Sequence, residues 1–90
     1  MSMTATQLEH AAACIGAAAT LARREAAAET RPAWRDLRSG VAQQLQDRAD
    51  QVASWARNMA RYEARGEDVP ADVADRIEAA TREFLAMARS

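Results

Sequence analysis

The 90-residue sequence contains no lysine, so all twelve of its cationic side chains are arginines. Schiff-base chemistry and catalysis by a side-chain amine therefore have no residue to perform them. Glycine (three residues), proline (two residues) and aromatic residues (4%) are also scarce, and β-branched residues are too thinly spread to build several strands. These shortages, together with the abundance of alanine, predict an all-α protein.

Cysteine occurs once, and long hydrophobic runs are missing. The single Cys14 cannot form an internal disulfide, so the fold is not expected to depend on an oxidising compartment. The apolar run at residues 11–22 is shorter than the roughly 18 residues typical of a membrane helix, and no basic segment precedes it as in a signal peptide. We therefore expect one cytoplasmic helical domain over residues 1–90, with no membrane partner.

Charge is nearly balanced overall but uneven along the chain. The formal net charge is −1, which argues against a surface built entirely for nucleic acid or an anionic membrane. Residues 31–66 contain seven arginines and four acidic residues, whereas residues 67–90 contain three arginines and six acidic residues. The middle of the chain is therefore basic and its last part acidic.

Local signals at the helix ends divide the chain into three helices. Thr4 and Gln7 fit a capping box at the first start, Pro32 suits the first turn of the second helix, and Gly66 suits the position just after it. The predicted helices span about 5–29, 32–65 and 70–88. Because short connections make neighbouring helices antiparallel, the sequence predicts an antiparallel three-helix bundle with a long central helix.

Ser39 and Gly40 are the residues at which the second helix could break. Apolar residues continue past them at helical spacing without a change of phase, which favours one continuous helix and a cost of about 1 kcal/mol for the glycine. We expect Gly40 to contact the alanine-rich face of the first helix. A kink near Gly40 is the alternative.

Helix lengths predict that one end of the bundle is poorly covered. The third helix, folding back along the second, should reach only to about Leu45, so Trp34, Leu37 and Val41 face the first helix alone. Exposed apolar groups of this kind often mark interfaces. An irregular N-terminus, a second copy of the chain, a different protein, or a kink at Gly40 that folds Trp34 back could cover them. The expected core comprises Leu8, Ile15, Leu45, Val52, Trp55, Met59, Val73, Ile77 and Phe84.

The same end of the second helix carries the arginine cluster Arg31, Arg35 and Arg38. Arginine is favoured at protein contacts. Together with the uncovered apolar residues, this cluster predicts a partner-binding surface, and self-association as a homodimer is the expectation we favour. The predicted partner-binding residues are Trp34, Leu37, Val41, Arg31, Arg35 and Arg38.

Candidate chemical sites are few. His10 and Cys14 are four residues apart, a spacing that lets two side chains share a metal, but two ligands do not make a structural zinc site and the chain has no other His or Cys. Asp47 and Asp50 lie among glutamines and arginines, as on a solvated helix face. No glycine-rich phosphate loop is present. We therefore expect no enzyme activity, no metal and no cofactor.

A second group of arginines could contact nucleic acid. Arg57, Arg61 and Arg65 follow one another at four-residue spacing, and Asn58 could contact a base edge. These arginines also lie at a helix C-terminus next to an acidic segment, where cations stabilise the helix dipole. Arg48, which interrupts the apolar stripe, is expected to reach solvent or to pair with an acid such as Glu83 or one from a partner chain.

The sequence thus predicts a small non-enzymatic helical protein that acts by binding another protein or a multi-protein complex. Adaptors, inhibitors and regulatory subunits, including inhibitors encoded by mobile elements, are of this kind. The alternative is a nucleic-acid-binding regulator that uses Arg57, Asn58, Arg61 and Arg65.

Overall fold

The computed structural model describes residues 3–90, which form three α-helices joined by short turns. The described residues contain no strand, and the all-α class and the helical bundle are confirmed. Each helix end lies within one residue of the end expected from the sequence. The helices are α1 (Ala5–Ala28), α2 (Pro32–Ala64) and α3 (Ala71–Arg89).

α2 runs through Ser39 and Gly40 without interruption. Its 33 residues give a helix of about 50 Å at 1.5 Å per residue, and the whole molecule is 52 Å long. The expected contact between Gly40 and α1 is wrong. No neighbouring atom lies within 4 Å of the position that a Cβ at Gly40 would take, because this residue is on the solvent side of α2.

α1 and α2 pack antiparallel along a line of small residues, which we call the alanine seam. Gly16 of α1 faces Ala49 of α2, and a Cβ built at Gly16 would lie 3.9 Å from that of Ala49. The buried residues of α2 are spaced alternately by three and four, the repeat of coiled-coil packing, with an alanine at every seventh position. They are Ala42, Leu45, Ala49, Val52, Ala56 and Met59.

The start of α1 is held from two sides. Thr4 and Gln7 form the expected capping box, each side chain accepting a hydrogen bond from the other residue's backbone N–H. The carboxylate of Glu63, near the end of α2, also accepts the N–H of Ala5 at 3.2 and 3.3 Å. An acidic group suits a helix N-terminus, so this contact fixes the register of α1 on α2.

A left-handed glycine ends α2 and turns the chain. Gly66 has φ +66°, and the N–H of Glu67 donates to the carbonyl of Tyr62 at 2.9 Å while that of Gly66 donates to Glu63 at 3.0 Å. This pair of bonds is the Schellman arrangement, which suits glycine because it has no Cβ to oppose the positive φ. The turn sends α3 back along α2.

α3 lies against α1 and α2 with a limited buried surface. Phe84 stacks on Trp55 with ring centroids 6.1 Å apart and planes 13° apart. The guanidinium of Arg48 lies over the ring of Phe84, 5.1 Å from its centroid. Only Ala74 and Thr81 of α3 are fully buried, so α3 is the most weakly packed helix.

The core contains more alanine and fewer large side chains than expected. Leu8, Ile15, Leu45, Val52 and Met59 are buried. Trp55, Ile77 and Phe84 are half-buried against them. Val73 was expected in the core and is 40% exposed, because it lies at the edge of α3, near the turn. Alanines fill the seam instead, notably Ala5, Ala11, Ala19, Ala42, Ala49 and Ala56.

Enlarging a seam alanine should destabilise the fold. We expect Ala49→Leu to lower the free energy of unfolding by about 1–3 kcal/mol, because the added atoms must separate α1 from α2. Ala60→Leu is the matched control, since Ala60 is exposed on the same helix. Urea denaturation followed by circular dichroism measures both. Equal midpoints for the two variants would contradict the close approach of the helices.

Gly40→Ala should have the opposite effect. Because a methyl group at Gly40 meets no neighbouring atom and alanine has a higher helix propensity, we expect stabilisation by up to about 1 kcal/mol. Thermal unfolding of the isolated protein at low concentration measures the change. A loss of stability would mean that Gly40 makes a contact within the single chain.

Candidate protein-binding surface

Three large apolar side chains of α2 are exposed next to one another at the end of the bundle that α3 does not reach. We call them the apolar patch: Trp34 (50% exposed), Leu37 (62%) and Val41 (54%). Together with Ala22, Glu25 and Arg38, they line a groove of about 340 Å³ between α1 and α2. Isolated apolar residues on a surface are ordinary, whereas a contiguous group is typical of interaction surfaces and makes this region the candidate site.

The patch is exposed because of its position relative to both the alanine seam and α3. Residues at seven-residue steps along α2 form a column beside the seam, which we call the Trp34 column: Trp34, Val41, Arg48, Trp55 and Tyr62. Arg48, Trp55 and Tyr62 are half-buried on the part of α2 where α3 packs. Trp34 and Val41 lie beyond its end and are exposed. The patch therefore continues the surface on which α3 packs.

The turn between α1 and α2 is organised around one carboxylate. Glu29, whose side chain is 11% exposed, accepts hydrogen bonds from the backbone N–H and the guanidinium of Arg31 at 2.9–3.2 Å. The Nε of Arg38 lies 3.3 Å from the same carboxylate, a charge contact without hydrogen-bond alignment. The Nε of Arg35 donates to the backbone carbonyl of Glu29 at 3.2 Å. All three predicted arginines thus contact Glu29.

These contacts stabilise the charged form of Glu29. Hydrogen bonds from the side chain and backbone of Arg31, with a smaller contribution from Arg38, lower its pKa from about 4.5 to about 2. Partial burial acts in the opposite direction and is outweighed. Glu29 is therefore ionised throughout the physiological range, and its contacts with Arg31 and Arg38 persist there.

The three arginines do not share one surface. Arg31 lies over the indole of Trp34, 5.0 Å from the ring centroid. Arg38 lines the groove beside the patch and also contacts Glu25 at 3.5 Å. Arg35 instead lines a separate groove with Ser39. Two of the three predicted arginines therefore border the patch, and the third does not.

The arginines proposed for nucleic-acid contact are partly engaged within the chain. Arg61 donates to Asn58 at 3.2 Å. Arg65 pairs with Glu67 at 3.1 Å and lies over the ring of Tyr62 at 5.0 Å. Arg57 is exposed. The stripe thus adjoins the acidic turn before α3, which would oppose phosphate binding.

Arg48 does not form the ion pair with Glu83 that was considered from the sequence. Its guanidinium lies over Phe84, and its Nε is buried without a hydrogen-bond partner. The expected pair with Glu83 is not formed, because a cation–π contact with Phe84 takes its place. Arg48 lies one heptad after Val41, which lines the open groove.

Other chemically reactive residues do not converge on a site. His10 and Cys14 line an open groove of about 800 Å³ between α1 and α3, and Cys14 is exposed. Asp47 and Asp50 each accept a hydrogen bond at 2.9 Å from a glutamine four residues earlier. Within residues 3–90, no three His, Cys, Asp or Glu side chains are grouped so as to hold a metal ion.

Two acidic residues of this surface were not identified from the sequence. Glu25 lies in the last turn of α1, and Glu29 is the residue after that helix. Their contacts with Arg38 form only because α2 folds back closely on α1. The sequence contains only a weak signal for these contacts, because a glutamate three residues before Pro32 is ordinary near a helix end.

Across the described part of the chain, no helix combines the length and apolar character needed to cross a membrane. Comparison with protein-family models, with characterised proteins and with solved structures finds no match to this chain. The support for a function therefore comes from the surface itself.

Removing the charge of Glu29 should change the pH dependence of stability. Because its pKa is lower in the folded chain than in the unfolded one, its contribution is present above about pH 4.5 and is lost as the pH falls towards 2. Glu29→Gln should therefore lower the melting temperature at pH 7 and reduce its decline between pH 4.5 and 2. Glu9→Gln, at an exposed site of α1, is the control. Parallel pH profiles for wild type and Glu29→Gln would contradict this role.

Proposed function

We propose that this protein is a non-enzymatic binding protein that acts by docking its apolar patch onto a protein partner. The carrying observation is the exposure of Trp34, Leu37 and Val41 next to one another, beside the face of α2 that packs on α1. Burying such side chains is worth about 25 cal/mol per Å² of apolar surface. An adaptor, an inhibitor or a regulatory subunit would use such a surface.

The border of the patch suits a specific protein contact. Tryptophan and arginine are the residues most often responsible for binding energy at protein interfaces, and here Arg31 lies directly over Trp34. The Glu29 contacts hold Arg31 and Arg38 in place before any partner binds, which reduces the entropy that binding costs. The partner is either a second copy of the chain or a different protein.

Trp34 and Trp55 should respond differently to truncation. Trp34→Ala should leave the helical content unchanged, because half of this side chain is already exposed. Trp55→Ala should cost about 3 kcal/mol, the lower end of the range for a core tryptophan, because Trp55 is half-buried against Phe84. Circular dichroism melts compare the two. Equal losses of stability would place Trp34 in the core and remove the proposed surface.

Site-specific photocrosslinking tests the proposed function directly. A benzophenone amino acid at Leu37 should give a discrete crosslinked product in lysate of the native host, and the added Trp34→Ala substitution should abolish it. The same amino acid at Gln51, an exposed position two heptads further along α2, should give no such product. No Trp34-dependent product, with either a host protein or a second copy, would contradict the proposal. A product that nuclease treatment removes would favour the nucleic-acid alternative.

A further inference from the structure

Resting on the proposed function, we infer that the occupant of the apolar patch is a second copy of this chain, docked patch to patch. Three features of the molecule favour this occupant: the shape of the open groove, the side chains that α2 exposes there, and the charges around the groove.

The open groove is shaped to accept a helix with an aromatic side chain. It continues the Trp34 column, and at the covered part of this column the occupant is α3, whose Phe84 stacks on Trp55. Trp34 occupies the equivalent position three heptads earlier, with the face of its ring contacted by Arg31. A helix that fits here needs an exposed aromatic residue and aliphatic residues one and two turns away.

The chain presents such a helix at this very place. The α2 segment that forms one wall of the groove exposes Trp34, Leu37 and Val41 at spacings of three and four. Each copy therefore has both the groove and the helix that fills it, which is the condition for an interface with two-fold symmetry. In such a pair, the uncovered ends of two α1–α2 hairpins form a four-helix arrangement.

Charge around the groove is of both signs, as a self-complementary surface requires. Glu25 of α1 and Arg38 of α2 line the groove from opposite walls, 3.5 Å apart, and both are about half exposed. A border of one sign would repel its own copy, whereas this border lets Glu25 of one chain approach Arg38 of the other. The side chains thus exchange or share partners without leaving a charge unpaired.

The size of the patch determines how strong the pair is. Three half-exposed side chains per chain give an interface at or below the low end of specific complexes, which begins at about 1,200 Å² of total buried area. The dimer is therefore weak and dissociates on dilution. It coexists with monomer at working concentrations rather than being required for folding.

Sedimentation velocity of the purified full-length protein over a wide concentration range tests this inference. Wild type should shift from monomer to dimer as the concentration rises. Leu37→Glu should raise the dissociation constant by more than about tenfold, which corresponds to about 1.4 kcal/mol. Gln51→Glu adds the same charge in the same register of α2 and should leave the dissociation constant unchanged. A wild type that remains monomeric at all concentrations overturns the inference.

A charge exchange separates a symmetric contact from a general loss of stability. Glu25→Arg makes both groove charges positive, and Arg38→Glu makes both negative, so each variant alone should be monomeric. An equimolar mixture should form a heterodimer, because every Arg then meets a Glu of the other chain. Circular dichroism confirms that both variants remain helical. Mixed variants that stay monomeric while wild type dimerises would place the contact elsewhere.

The outcome also separates this inference from the proposed function. If the purified chain is monomeric but the benzophenone at Leu37 still crosslinks to a different host protein, the occupant is heterologous and the binding surface stands. If neither dimer nor Trp34-dependent crosslink forms, both proposals fail.

Discussion

Close approach of α1 and α2 along the alanine seam is the constraint on which the rest of the structure depends. A buried methyl group contributes about 0.8 kcal/mol, against about 1.5–3 kcal/mol for a large aliphatic or aromatic side chain. A seam of alanines therefore needs many turns to stabilise the pair, and α2 extends over 33 residues. α3 has only 19 residues and cannot cover so long a helix. The exposed patch is thus a consequence of building the hairpin from small residues.

The helix ends could be predicted from the sequence because their causes are local. Thr4 with Gln7 caps α1 within one turn, and Gly66 ends α2 through bonds to the preceding turn. The side of α2 that packs against α1 could not be predicted in the same way. The large residues of α2 suggest a stripe through Trp34 and Val41, whereas the buried stripe runs through Ala42, Ala49 and Ala56, one position further. Since alanine contributes little to hydrophobic periodicity, this shift is hidden, and Gly40 was misplaced with it. Val73 was misplaced for a separate reason, because it lies at the edge of α3 near the turn.

The candidate surface also has features that the sequence predicts and features that depend on the folded structure. Exposure of Trp34, Leu37 and Val41 follows from comparing helix lengths, which the sequence supplies. The Glu29 contacts do not, because they require the backbone of the turn to bring Glu29 between Arg31 and Arg38. The separation of Arg35 from Arg31 likewise depends on which side of the seam each residue lies. Arg31, Arg35 and Arg38 were predicted to form one cluster because they are close in sequence. In the helix, they lie on two different surfaces.

The small buried area of α3 implies two levels of cooperativity in one short chain. α3 fully buries only Ala74 and Thr81, whereas the α1–α2 hairpin has its own buried seam and its own end contacts. Release of α3 therefore requires less free energy than global unfolding, and its amide hydrogens should exchange through a partial opening that leaves the hairpin intact. In that open state Trp55 and Tyr62 lose their cover. The Trp34 column is then exposed over about 42 Å, with Arg48 between its apolar residues, so local unfolding and the extent of the candidate surface are thermodynamically linked.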